Sequence, residues 1–313
     1  MRRRTLGKTG LEISELCLGT WGLSGDGYGP IEETQQDQVI ERALALGVMA
    51  FETADAYAKG AMESRLGRLL AKHPDAIVIT KVGTDRSSTP PQKRFDVDYL
   101  REAVSKSRER LQRPIDVLLL HNPSSVPFGR PALRELMEKL QSDGVIKAWG
   151  ASVGSAEIGR AAIAAGAQVL ELAYSAFYQR ELNDLLGTVR DNNLGLLARS
   201  VLAHGLLCGQ WPSTKTFPAD DHRRERWTSD DFKKRISQLS AMRPVVTGSV
   251  TSLRAAALRF ALDEELISSV VIGPKSSMQL DQLLRDAGRE PPYLPTSGRT
   301  ALRNRLASVG IKT

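Results

Sequence analysis

Eight short apolar runs alternate with eight amphipathic stretches along this chain, and that alternation leaves few architectures open. The runs are 16–19 (Leu-Cys-Leu-Gly), 48–52, 77–82 (Ile-Val-Ile-Thr-Lys-Val), 115–120, 146–152, 169–174, 194–198 and 269–272, rich in Val, Ile and Leu as strands buried on both faces are. Between them, residues 35–46, 60–72, 97–112, 131–142, 155–165, 180–192, 251–265 and 276–287 carry helical spacing. Gly47, Gly144, Gly166 and Gly195 stand between helix ends and the next strands, where a left-handed residue is wanted. An open doubly wound sheet should show a Gly-rich turn leading from its first strand directly into a helix. Here Gly19-Thr20-Trp21-Gly22 instead enters a Gly-rich loop that runs to Pro30. The expectation is an α/β chain folded as a closed (β/α)8 TIM barrel, one domain over residues 1–313.

Two segments lie outside the repeat. Residues 3–15 hold two turn signals between alternating residues and are expected to form a β-hairpin that plugs the barrel. Residues 202–248 contain Gly205, Gly209, Pro212 and Pro218, then a helical piece near 230–241. A connection this long belongs at the C-terminal rim, where such barrels carry their sites.

Composition narrows the function classes. With 41% hydrophobic and 25% charged residues the chain has the balance of a globular protein, and no apolar run nears the roughly 20 residues that span a bilayer. The basic start, Met1 to Gly7, lacks the apolar core of a signal peptide. Two cysteines, Cys17 and Cys208, make no disulfide framework, so a cytoplasmic setting is expected, with Cys17 as a small core residue. The net charge of +7 comes from scattered arginines, with clusters only at Arg2–Arg4, His222–Arg226 and Arg299, Arg303, Arg305. No binding module or interleaved aromatics accompany them, so neither nucleic acid nor membrane is expected as partner; a small polyanionic ligand suits the charge better. No metal-ligand spacing stands out, and oligomeric state is not legible.

Four residue types carry the chemistry. Glu52, Tyr57, Lys81 and His121 stand at or just past the ends of three successive strand runs. A phenol has a pKa near 10 and is a poor acid unless a neighbouring ammonium helps, the role open to Lys81. A lysine ending a buried strand needs a counter-charge, and Glu52 is the available carboxylate. Each residue alone has an ordinary structural reading, Glu52 with Lys81 included; all four at one rim form a device for protonating a carbonyl oxygen.

With these residues, the whole chain resembles the aldo-keto reductase family. The resemblance rests on Thr5-Leu6-Gly7-Lys8-Thr9-Gly10-Leu11, Leu18-Gly19-Thr20-Trp21, Phe51 to Tyr57, Glu63-Ser64-Arg65-Leu66-Gly67, Ile79-Thr80-Lys81, Leu120-His121-Asn122-Pro123, Gly150-Ala151-Ser152 and Ile272-Gly273-Pro274-Lys275. It implies a barrel with extended NADP(H) across its C-terminal rim. By the resemblance, Tyr57 is the acid or base, Lys81 depresses its pKa, and His121 orients the substrate. Glu52 stands where the family has Asp, one methylene shorter. Either the barrel adjusts around it or the chemistry is slowed, since a misplacement of about 1 Å can cost on the order of 100-fold in rate.

The resemblance also assigns a cofactor path, with NADPH favoured over NADH. Gly19, Thr20 and Trp21 meet the cofactor, and Ser152 contacts the nicotinamide carboxamide. Glu171 stands where Gln is usual and can accept from the carboxamide N–H but not donate to its oxygen. Arg199 takes the place of a stacking aromatic, and its charge should favour the reduced ring. Ser200, Leu202 and Gly205 resemble the loop over the pyrophosphate. Gly273, Lys275, Ser276 and Gln279 meet the adenosine phosphate end, where a helix start favours an anion. Trp21, Tyr28, Phe128, Trp211 and Trp227 are candidate pocket walls. The activity implied is reduction of an aldehyde or ketone, sugar carbonyls included, to an alcohol. A cofactor-binding regulatory protein, or acid–base dehydration or epimerisation, are the alternatives.

Overall fold

The computed structural model describes residues 1–312, in which the eight apolar runs close into a barrel. Its strands, numbered in chain order, are β1 (Leu16–Gly19), β2 (Ala50–Glu52), β3 (Ile77–Val82), β4 (Ile115–His121), β5 (Ile146–Ser152), β6 (Val169–Ala173), β7 (Gly195–Arg199) and β8 (Ser269–Ile272). Each pairs in parallel with its neighbours in sequence, and β8 returns to β1 through Val270–Leu16, Val271–Cys17 and Ile272–Leu18.

Side chains on a strand alternate between its faces, and the barrel turns that alternation into two cores. Cys17, Ala50, Ile79, Val117, Leu119, Ala148, Val169 and Leu197 pack together in the interior. Their neighbours Leu18, Phe51, Val78, Leu118, Leu120, Trp149, Leu170 and Leu196 join the larger core between the strands and the helices. Ser155, Ser252 and Ser276 cap the helices Ala156–Ala164, Leu253–Leu262 and Ser277–Ala287, each side chain accepting a backbone N–H three residues on.

The N-terminal hairpin pairs Arg3–Thr5 with Glu12–Ser14 and closes the end of the barrel remote from the long loops. Its Leu6 and Ile13 are fully buried in the interior core. Of the four glycines expected to be left-handed, Gly47, Gly144 and Gly166 are, at φ 77°, 69° and 103°. Gly195 is not. Asn193 takes that conformation at φ 45°, and Gly195 is required because a Cβ there would meet Leu6 Cγ at 2.7 Å.

Other boundaries moved. The 180–192 stretch is two short helices, Arg180–Asn183 and Leu186–Asp191, and the helix near 230 is Ser229–Gln238, followed by a 3-10 segment, Leu239–Val245. Two elements carried no sequence signal. A small hairpin pairs Thr84–Asp85 with Gln92–Lys93 just after β3, and a helix, Thr296–Ser308, follows the barrel. That helix buries Leu302 and Leu306, and Arg299 forms ion pairs with Asp263 and Glu264, so part of the basic tail is structural. No helix among the described residues is long and apolar enough to cross a membrane.

Candidate active site

Continuing the interior parity to the C-terminal end of each strand gives a ring: Gly19, Glu52, Lys81, His121, Ser152, Glu171, Arg199 and Val271, on β1 to β8 in order. All eight line one cavity of about 850 Å³ at that end of the barrel. Strand order therefore sets Glu171 opposite Glu52 and Arg199 opposite Lys81.

Glu52 and Lys81 form a closed pair. The ammonium is in contact with the carboxylate and also donates to the Thr53 carbonyl at 3.0 Å; both side chains are buried. Glycine at the end of β1 leaves room beside this acid: a Cβ on Gly19 would lie 3.0 Å from Glu52 Oε2 and 2.7 Å from Val271 Cγ1. Tyr57 starts the 3-10 turn Tyr57–Gly60 five residues on. The Lys81 ammonium lies 4.9 Å from its ring centroid, and the His121 ring meets it edge-on at 5.9 Å.

The electrostatic balance differs from the expected one. Burial pushes the Tyr57 phenol well above its ordinary value of 10, Glu171 adds to the rise and Arg199 opposes it. Burial brings Lys81 down to about 8, with Glu171 pulling it back up. His121 is held well below 6.5 by burial and then by Lys81, so its ring is neutral near pH 7.

Glu171 and Arg199 form an open pair. Arg199 Nη2 donates to the Val153 carbonyl at 3.1 Å, and no ion pair joins it to Glu171 among the described residues. Glu171 is 1% exposed. Glu171 Oε2, Arg199 Nε and His121 Nδ1 are buried without hydrogen-bond partners. Unmet donors and acceptors facing one cavity are what a polar ligand would satisfy.

The cavity runs from this ring to the start of the helix Ser277–Ala287. Lys275 and Gln279 line its far end, the Gln279 side chain accepting from the Lys275 N–H at 2.8 Å and the Lys275 ammonium donating to the Tyr28 carbonyl at 2.5 Å. A strap crosses above. Tyr28 bridges Asp221, and the His222 N–H donates to the Gly27 carbonyl at 2.9 Å. The Arg223 guanidinium, paired with Asp221, lies 4.9 Å from the Tyr28 ring centroid and 5.3 Å from that of Trp211.

Most of the expected residues converge here. Trp21, Tyr28, Ser200, Leu202, Gly205, Trp211 and Gly273 all line the cavity. Two cofactor candidates do not. Thr20 is fully buried behind the wall, its N–H held by the Glu52 carbonyl at 2.9 Å, and Ser276 uses its hydroxyl to cap the following helix at the Gln279 N–H, 3.2 Å. Phe128 packs in the core and half-buried Trp227 packs against it, and neither lines the cavity. Sequence reasoning missed Asp26, Arg86, Lys93 and Arg254, all on its wall. Lys93 donates to the His121 carbonyl at 2.7 Å, and Arg254 donates to Gln282 at 3.1 Å beside an ion pair with Asp286. Asp26 and Arg86 sit on loops and Lys93 on a two-residue strand, none with a periodic signal. Arg254 had one faint cue, its position just after the capping Ser252.

Comparison with known proteins agrees with this arrangement. The model of the aldo/keto reductase family matches residues 15–288. The chain is 28% identical to the aldo-keto reductase YhdN of Bacillus subtilis (strain 168), over 92% of this chain and 89% of that protein. It is also 28% identical to the D-threo-aldose 1-dehydrogenase of a Pseudomonas species, over 90% and 92% respectively. The fold matches that of the glycerol dehydrogenase AKR11B4 from Gluconobacter oxydans with a TM-score of 0.86 at 24% identity, covering 99% of this chain and 97% of that one.

Proposed function

This chain belongs to the aldo/keto reductase family, and we propose that it reduces an aldehyde or ketone with NADPH in preference to NADH, using Tyr57 as the general acid. Membership makes it an NAD(P)H-dependent oxidoreductase; the residue roles and the cofactor preference are our reading. The observation that carries it is the ring of inward side chains, with Tyr57 against Lys81 and His121 on one side and unmet polar atoms of Glu171 and Arg199 on the other.

The residues present fit the dinucleotide. Ser152 and the free oxygen of Glu171 suit the two ends of a carboxamide, one donating and one accepting. Ser200, Leu202 and Gly205 lie under the strap where a pyrophosphate would pass, and Lys275 with Arg254 supplies cations at the far end. When bound, the reduced cofactor supplies hydride to a carbonyl carbon. Tyr57 donates its O–H proton to the carbonyl oxygen, and burial keeps that proton in place beforehand. Lys81, fixed by Glu52 and the Thr53 carbonyl, then stabilises the phenolate that is left. Neutral His121 orients the carbonyl through a ring nitrogen.

The test is fluorescence titration with NADPH and NADH, followed by loss of reduced-cofactor absorbance over a panel of aldehydes, ketones and sugars. NADPH should bind about tenfold or more tightly, the worth of a charge-assisted contact to its extra phosphate. Tyr57→Phe should keep that affinity and lose turnover by roughly 10²- to 10⁴-fold. Absence of binding by both dinucleotides would overturn the proposal.

A further inference from the structure

The two carboxylates of the ring are used differently. Glu52 is matched by Lys81, whereas Glu171, on the opposite strand, is 1% exposed, has a free oxygen and pairs with no cation among the described residues. Its neighbour Arg199 is turned to the Val153 carbonyl. A carboxylate buried without a counter-charge is costly, and a ligand that brings positive charge relieves the cost.

We propose that Glu171 is the counter-charge for the oxidised, cationic nicotinamide ring, so that the site holds oxidised cofactor more tightly than a neutral amide at this position would, with Arg199 acting in the opposite sense. The proposal rests on the dinucleotide reading above and adds a redox bias to it. In the reduction, a ring C–H bond breaks and its electron pair forms the new C–H bond at the carbonyl carbon. The carbonyl π pair takes the Tyr57 proton. The carbonyl is reduced, the ring is oxidised, and the ring gains a positive charge it did not have.

The cavity would put that charge near Glu171. Reacting atoms must come within about 3–3.5 Å, so a ring that delivers hydride to a carbonyl at Tyr57 would lie within the circle of inward side chains that includes Glu171. The reach of its field is visible in two neighbours. Glu171 raises the Tyr57 phenol, and beyond the Glu52 carboxylate in contact with it the Lys81 ammonium also feels Glu171, which pulls its value up. Glu52 is engaged by Lys81 and His121 is neutral, which leaves Glu171 and Arg199 as the charges of the ring without an ion-pair partner among the described residues. Without the carboxylate, the oxidised ring faces the guanidinium unopposed.

Glu171→Gln keeps the shape and an acceptor oxygen while removing the charge. Dissociation constants for NADP⁺ and NADPH, measured separately without substrate, give the answer independently of turnover. In Glu171→Gln the ratio of the NADP⁺ to the NADPH constant should rise on the order of tenfold over wild type, as expected for one charge at short range in a partly screened site. In Arg199→Met, which does not depend on the first variant folding, the ratio should fall. Equal changes in both constants for Glu171→Gln would reduce Glu171 to a hydrogen-bond acceptor and overturn the proposal, as would an unchanged ratio in Arg199→Met. Wild type that binds neither form refutes the dinucleotide reading and this proposal with it. Wild type that binds both, with ratios indifferent to either substitution, refutes this proposal alone.

Discussion

Across the top of the barrel, Glu52 and Lys81 touch, while Glu171 and Arg199, placed on the facing strands in the same order, do not. Each acid sits one strand before its cation, at the same level of the ring. The difference comes from what surrounds each cation. Lys81 finds a carboxylate and the Thr53 carbonyl together, whereas Arg199 is drawn to the Val153 carbonyl on the loop leaving β5. A closed pair is machinery set before substrate arrives. An open pair leaves polar atoms unmet, here Glu171 Oε2 and Arg199 Nε, which a polar ligand would satisfy.

The sharpest way to break this contrast is Lys81→Met. It leaves Glu52 buried without its partner, so turnover should fall on the order of a thousandfold, and chemical denaturation should show about 3–5 kcal/mol of lost stability. The same truncation at Arg199 should leave stability nearly unchanged, because no ion pair is lost; equal losses at both sites would erase the distinction. Glu52→Asp is a smaller perturbation. Gly19 leaves space beside the longer acid, so a shorter one draws back from Lys81 and kcat should drop by about tenfold, the scale of a modest positioning error. A rise in kcat would instead mark Glu52 as the residue that slows the enzyme.

The smallest effect is a shift in pH dependence. Reduction needs Tyr57 protonated and Lys81 charged. The phenol is pushed up, so it stays protonated through neutral pH, while Lys81 sits at about 8. Turnover should therefore fall as pH rises through about 8, with no loss near pH 6.5 from His121, which is already neutral there. Because Glu171 pulls the Lys81 value up, Glu171→Gln should move the alkaline limb to lower pH. An unmoved limb would mean that the two halves of the ring are electrically independent.

Much of this site was legible from the chain, for a local reason. Strand runs declare themselves by Val, Ile and Leu, and once a run is recognised its last inward residue follows from a period of two. Glu52, Lys81 and His121 could be named in advance from the ends of such runs, whereas Ser152, Glu171 and Arg199 were named from the family resemblance, and all six prove to share the inward parity. Residues on loops have no such rule. Thr20 was expected to meet the cofactor and is sealed behind the cavity wall; Ser276 was expected to do so and its hydroxyl caps a helix. Lys93 and Arg254 reach the cavity from a two-residue strand and a helix start that no pattern singled out.

Sequence alone determined the closed barrel, the ring of side chains at its rim and the mixture of charges in that ring, because each follows from periodicity along single strands. Which charges meet was decided only in three dimensions. Whether a lysine finds its carboxylate, or an arginine turns to a carbonyl instead, depends on competing partners from distant segments and on the space left by residues such as Gly19. Those partners come together only when the barrel closes.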